Sequence, residues 1–252
     1  MMATQSAEAE VWSPASPLEA LEGVPWLAAV PRTTLARLAD RAVLHTIPAG
    51  VRLFEQAETP AFAQLLVTGA IQLVAVRGAE ETLIEVVRPF DMLLPAAVLT
   101  GQPYLVRAQV LADAKVLLIQ AEAFLHAIGA DHALCLATLA CQAAQFRRQM
   151  RQAKAIRLRT AEERIGCYLV ALAEANAGPK IRLPSEKRLI ASQLGMTRET
   201  FSRALPALAR RGLRVAGDTL HVDNLAVARA AFPLDPLIDG PEAINPLPLT
   251  RN

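Results

Sequence analysis

Residues 186–211 read EKRLIASQLGMTRETFSRALPALARR, and this stretch decides how the C-terminal half folds. Leu189, Ile190 and Leu194 recur at helical spacing, and Gly195-Met196 then interrupts the run. Ser185 is the candidate N-cap of this first helix, Glu186–Leu194. Thr197 is the candidate N-cap of a second helix reaching about Arg211, with Phe201, Leu205 and Leu208 on its inward side. Two helices joined by a turn of about three residues containing Gly form the helix-turn-helix layout. Gly195 suits the turn because a left-handed backbone costs glycine nothing. At the start of the second helix Arg198, Glu199, Ser202 and Arg203 face outward. Arg can read guanine in the major groove, Glu the cytosine amine, and Ser either partner. Lys187, Arg188, Thr197 and Thr200 are placed to hold phosphates. Pro206 cannot donate to the Ser202 carbonyl, which predicts a kink beyond the reading face.

The charge distribution agrees with an anionic partner. Residues 145–215 hold 16 Lys/Arg against 5 Asp/Glu, a net of +11, whereas residues 1–131 hold 8 against 14, a net of −6. The overall charge of +2 hides this asymmetry. Downstream, Leu213–Val215, a Gly217-Asp218 turn and Leu220–Val222 predict a two-stranded wing. Upstream, Thr160–Ala175 is amphipathic and Asn176-Ala177-Gly178-Pro179 stops it, before a short strand at Lys180–Leu183.

From His132 to about Arg159 there is neither Pro nor Gly. His132, Leu136, Leu139, Ala143, Phe146, Met150 and Ala153 recur at alternating spacings of four and three, the spacing of a two-stranded seam. Leu136, Leu139, Ala143, Phe146, Met150 and Ala153 are therefore the candidate dimer contacts. A single helix packed on its own domain would share part of this pattern. The helix's length and its flanking Arg147, Arg148, Arg151, Lys154 and Arg157 favour the narrow seam.

Between Leu44 and Gln120 the texture changes to short apolar runs. These are Val51–Phe54, Gln64–Val67, Ile71–Val76, Thr82–Val87, Val106–Leu111 and Lys115–Ile119. Turns are expected at Pro48–Gly50, Thr68-Gly69, Arg77-Gly78 and Pro89, which together suggest an antiparallel sandwich or barrel. Val24–Ala42 reads as helix before it, and Ala123–Ile128 begins a helical region after it.

Three cysteines (Cys135, Cys141, Cys167) with no CxxC spacing suggest neither a disulfide framework nor a zinc site, and fit a reducing cytoplasm. The polar, acidic Met1–Glu10 is no secretory signal, and Pro95 and Pro103 break the uncharged run Met92–Val106, so no membrane span is expected. No nucleophile–base set, metal-ligand spacing or phosphate-binding Gly loop is visible, which argues against an enzyme. A module whose winged domain binds protein in place of specific DNA is the alternative function.

Ile190–Arg203 resembles the DNA-reading segment of the CRP/FNR superfamily of bacterial transcription regulators. Ile47–Gln56 and Leu66–Leu73 are similar to that family's β-roll sensor, and the likeness spans roughly residues 25–232. It implies an α+β protein: an antiparallel, cyclic-nucleotide-binding-like β-roll sensor (18–130), a dimerisation helix (131–159) and a winged helix-turn-helix (160–232). Composition alone reads residues 1–17, with Ser, Pro and acidic residues and no periodicity, as a disordered lead, and residues 233–252, with five prolines, as an unfolded Pro-rich tail. The resemblance further implies a homodimer on an inverted repeat of double-stranded DNA, RNA polymerase as a partner, and effector binding that re-orients the reading helices. By the same likeness, Glu199, Ser202 and Arg203 imply a TTGA-type half-site, with the outer base left open by Arg198.

The family's cyclic-nucleotide binders carry Gly-Glu and Arg-Ser around the phosphate. This chain has Leu94-Pro95 for the first pair and a shortened segment around Gln102-Pro103 for the second, so cyclic AMP is not expected. No Cys precedes Cys135, so an iron–sulfur cluster is not expected either. Met92–Leu99 has neither the Cys nor the His of the carbon-monoxide sensors. Phe201-Ser202-Arg203 and Gly101–Tyr104 resemble the nitric-oxide and denitrification-type regulators, some of which bind haem. That leaves haem open, with His45, His126 and His132 the only histidines in the sensor half. Ala57 and Phe90 stand where the roll usually turns on Gly, which also leaves open a sensor with no ligand.

Overall fold

The computed structural model describes residues 12–176, 178–184 and 186–240. Two short helices, α1 (Pro17–Glu22) and α2 (Arg32–Ala39), precede strand β1 (Ala42–Ile47). The single helix expected over Val24–Ala42 is thus broken into a 3-10 turn (Pro25–Leu27) and the shorter α2. Pro25 opens only a short 3-10 turn, Pro31 sets the N-terminal boundary of α2, and the chain is extended from Ala42.

The roll continues with β2 (Arg52–Phe54), β3 (Phe62–Arg77), β4 (Glu80–Val87), β5 (Met92–Leu93), helix α3 (Pro95–Thr100) and β6 (Arg107–Gln120). All pairings are antiparallel, in the order β1-β6-β3-β4, with β2 also on β6 and β5 on β3. The turn expected at Thr68-Gly69 is instead an irregularity inside one continuous strand: the β3–β6 register shifts between Leu66 and Ile71. Gly69 lies at φ +88°, and a Cβ there would stand 2.2 Å from the Asp113 carbonyl oxygen. Glycine is needed because two backbones meet, not because the chain reverses.

One apolar cluster, including Phe54, Leu66, Ile71, Leu93, Tyr104 and Val116, fills the roll. A second, including Leu21, Leu38, Leu65, Leu117, Phe124 and Leu134, joins its outer face to the helices. Those helices include α4 (Ala121–Ala130) and the 27-residue α5 (His132–Leu158), which is about 40 Å long at the α-helical rise. Asp131 separates them: its carboxylate accepts from the Leu134 amide at 3.0 Å, capping α5, and from the Thr34 hydroxyl of α2. Leu134, Ala137, Thr138 and Cys141 face the sensor core. Arg148 ties the middle of α5 to the roll through Asp91 at 2.6 Å.

Helix α6 (Ala161–Ala175) starts with a capping box in which Thr160 and Glu163 serve each other's backbone amides. Then come β7 (Lys180–Arg182), α7 (Lys187–Gln193), α8 (Arg198–Arg210), β8 (Leu213–Ala216), β9 (Thr219–Val222) and α9 (Leu225–Ala231). The expected two-stranded wing has a third member, with β7 adding to β9 in the order β7-β9-β8. Ile165, Leu169, Ile190, Phe201, Leu208, Leu213, Leu220 and Phe232 form this domain's own core.

Both chain ends depart from expectation within the described residues. Trp12 lies 5.5 Å from the Phe90 ring, and Lys115 donates to the Pro14 carbonyl at 2.9 Å, so the lead is packed before residue 17. The tail expected to begin at Pro233 forms α10 (Pro236–Asp239), with Ile238 buried. Residues 1–11 and 241–252 lie outside the described residues. Among those described, no single helix is long and apolar enough to cross a membrane.

Candidate nucleic-acid interface

The helix-turn-helix is α7, the turn at Gly195-Met196 and α8. Leu189 and Ile190 are buried from α7 and Phe201 and Leu208 from α8, while Leu194 and Leu205 are half-buried against the same cluster. Gly195 has φ +66°, the left-handed value that the turn requires. Thr197 caps α8 by accepting from the Thr200 amide at 3.2 Å. Ser185, expected to cap α7, lies outside the described residues, and Glu186 at the N-cap position makes no side-chain cap. The chain stays helical through Pro206 to Arg210, with Pro206 exposed.

This scaffold brings Arg198, Glu199, Ser202 and Arg203 to one end of α8, all four exposed. Glu199 is held below the usual carboxylate range by its own backbone amide and by the Thr197 hydroxyl. It is thus an anionic acceptor at neutral pH. Arg203, exposed, donates to Thr200 Oγ1 at 3.4 Å and lies within the field of the Glu199 carboxylate, with most of its guanidinium donors at the surface. Thr197 and Arg188 are exposed, whereas Thr200 and Lys187 are half-buried. Thr200's hydroxyl accepts from both Thr197 and Arg203, so its first role is to shape the helix start. On the wing, Arg182 pairs with Asp218 and Arg214 with Asp223.

Sequence reasoning missed what holds this unit to the rest of the chain. Ser192 Oγ donates to the Leu83 carbonyl of β4 at 3.2 Å, Gln152 of α5 donates to the Gln193 carbonyl at 3.3 Å, and Gly195 sits against Ile156 of α5. These are contacts between distant segments, and no local pattern announces them.

In the sensor, Leu94 takes the left-handed value φ +44° ahead of α3, and Pro95 is buried at its first position. Within the roll, Phe54 and Tyr104 stack with ring centres 3.7 Å apart, and burial pushes the Tyr104 hydroxyl up to about 12. Arg107 is engaged by two carboxylates, Glu55 at 2.8 Å and Glu81 at 2.5 Å. His45, His126 and His132 are all exposed, away from the buried interior. Among the described residues no group of three His, Cys, Asp or Glu side chains could hold a metal ion.

A roll of antiparallel strands, a long helix with an exposed apolar side and a winged helix-turn-helix together form the architecture of a DNA-binding regulator. Residues 44–131 match the cyclic nucleotide-binding domain, and residues 163–226 match the Crp-like helix-turn-helix domain. The chain belongs to the CRP/FNR family of DNA-binding transcription regulators, which are not enzymes. Its fold is similar to that of FixK2 from Bradyrhizobium japonicum (21% identity, 77% of this chain and 98% of that one, TM-score 0.61). It is also similar to a CRP-family transcriptional regulator of Thermus thermophilus (20%, 74% and 95%, 0.57). A third similar structure is a proposed cAMP-binding regulatory protein of Silicibacter pomeroyi (23%, 86% and 100%, 0.54). Among curated proteins, none matches the chain.

Proposed function

We propose that the protein acts as a homodimer on an inverted repeat with TTGA-like half-sites, under an effector other than cyclic AMP. One observation carries the reading. The face of α5 turned away from the sensor exposes Leu139, Phe146 and Met150 at 62%, 61% and 52%, in line with exposed Leu136 and Ala143, on the chain that presents the reading face of α8. A row of large apolar side chains left in water favours burial against a second copy. Ala153, half-buried, continues the row. Two copies related by a two-fold axis present two reading helices to half-sites about one helical turn apart.

Arg198, Glu199, Ser202 and Arg203 read base edges in this scheme, and Lys187, Arg188, Thr197 and Thr200 hold phosphates. Against cyclic AMP stand Leu94-Pro95, the engaged Arg107 and the aromatic stack inside the roll. We place the chain in the nitric-oxide and denitrification-type branch without an iron–sulfur cluster, on the signatures Phe201-Ser202-Arg203 and Gly101–Tyr104. A cytoplasmic location and RNA polymerase as partner follow from the family reading. A salt titration of binding to a palindromic duplex tests the proposal. Affinity should fall steeply and linearly on a log–log scale as phosphate counterions are released. Binding indifferent to salt would instead support the protein-binding alternative.

A further inference from the structure

The segment after the winged domain does not leave the molecule; it crosses the joint between α5 and α6. On the α6 side, Phe232 is buried with its ring over Gly166, where a Cβ would come within 2.4 Å of it. Cys167 Sγ donates to the Pro233 carbonyl at 3.7 Å. On the α5 side, Lys154 reaches Asp235 at 3.0 Å, and Asp239 accepts from both terminal nitrogens of Arg159 at 2.7 and 2.6 Å. The Arg159 and Asp239 side chains are only 12% and 11% exposed. The segment is shaped internally as well: the Asp235 amide donates to Asp239 at 2.9 Å and the Leu237 amide to Asp235 at 2.8 Å.

The joint itself is short. Arg159 ends α5 in extended conformation (φ −125°, ψ 143°), and Thr160 begins α6. Other ties brace the unit, among them Arg164 to the Arg159 carbonyl at 2.9 Å, Gln152 to the Gln193 carbonyl at 3.3 Å and Ser192 to the Leu83 carbonyl at 3.2 Å. None of these single hydrogen bonds has the directional constraint of a two-pronged ion pair sheltered from water. We infer that Phe232–Asp239 is a strap that fixes the angle between α5 and the DNA-binding unit. It grips α6 through Gly166 and Cys167 and α5 through Lys154 and Arg159, so neither helix can swing about the joint without breaking one grip. The claim concerns one chain and does not depend on the homodimer reading above.

The test is a distance within one subunit of the full-length protein. Spin labels are placed at exposed Ala144 on α5 and Arg210 on α8, in a Cys135→Ser background diluted with unlabelled protein. The intact strap should give one narrow distance, and Asp239→Ala a broadened or second distribution. Exchanging the pair, Arg159→Asp with Asp239→Arg, should restore the narrow distance. If Asp239→Ala does not fold, Asp235→Asn, at the more exposed grip, should still broaden the distribution. Unchanged narrow distances in the folded variants overturn the strap. Because the readout needs neither DNA nor dimer, its failure is distinct from failure of the function proposed above.

Discussion

Ser192 of α7 donates its hydroxyl to the main-chain oxygen of Leu83 in β4, 3.2 Å away and 109 residues earlier in the chain. The first helix of the helix-turn-helix thus rests on the sensor hairpin itself. The sensor reaches the reading unit by two routes, this contact and the long helix α5. Ser192→Ala should cost about 1 kcal/mol, the net value of one such hydrogen bond. It should also raise amide exchange along residues 80–87, and exchange equal to wild type there would remove the contact from the account.

Met150→Asp tests the seam. With a two-fold axis beside Phe146 and Met150, two carboxylates would face each other in a water-poor interface, a cost of several kcal/mol if unrelieved. Sedimentation velocity should show a monomer that no longer holds a palindrome. A variant still dimeric at micromolar concentration would refute the seam.

Cyclic AMP and cyclic GMP at millimolar concentration should leave the melting temperature unchanged. A ligand at 100 times its Kd stabilises by about 2.7 kcal/mol, which a melting curve resolves readily. An upward shift would mean that Leu94, Pro95 and the Phe54–Tyr104 stack leave room for a nucleotide after all.

Asp131 gives a signed pH prediction. The Thr34 hydroxyl, then the Leu134 amide, hold its carboxyl below the usual range. A depressed folded-state pKa contributes stability above the unfolded pKa, about 4, that is lost as pH falls through the folded value. The melting-temperature gap between wild type and Asp131→Ala should therefore be full near neutrality and close in acid. A gap independent of pH would assign the effect to packing.

What was legible in the sequence was local. Helix α5 runs His132–Leu158 against an expected 132–159, and Thr197 caps α8 as read, because apolar periodicity and caps are written within a few turns. Strand β1 carries no clear strand signal because Ala42–Ile47 alternates half-buried and exposed positions only as far as His45, presents no strongly apolar face, and begins with an Ala42 that continues a helical spacing. Thr68-Gly69 reads as a turn because glycine marks both reversals and close backbone approaches; only the position of Asp113 on β6 distinguishes them. Ala57 and Phe90, noted as non-glycine residues at turning points, lie at φ 72° and 70°. The roll keeps its turns there at a cost of roughly 1–2 kcal/mol each. The docking of Trp12, Phe232 and Asp239 depends on surfaces far away in sequence, so a Pro-rich composition alone reads as a loose tail.

The most direct test of the central claim is a randomised-site selection with wild type, Arg203→Ala and Lys187→Ala. Wild type should return an inverted repeat with an inner TGA in each half. Arg203→Ala should bind about 1–3 kcal/mol more weakly per half-site and lose discrimination at the guanine. Lys187→Ala should keep the motif, weaken all sequences alike and lower the salt slope by about one per half-site. If Arg203→Ala returned the wild-type motif unchanged, α8 would not be the helix that reads the bases.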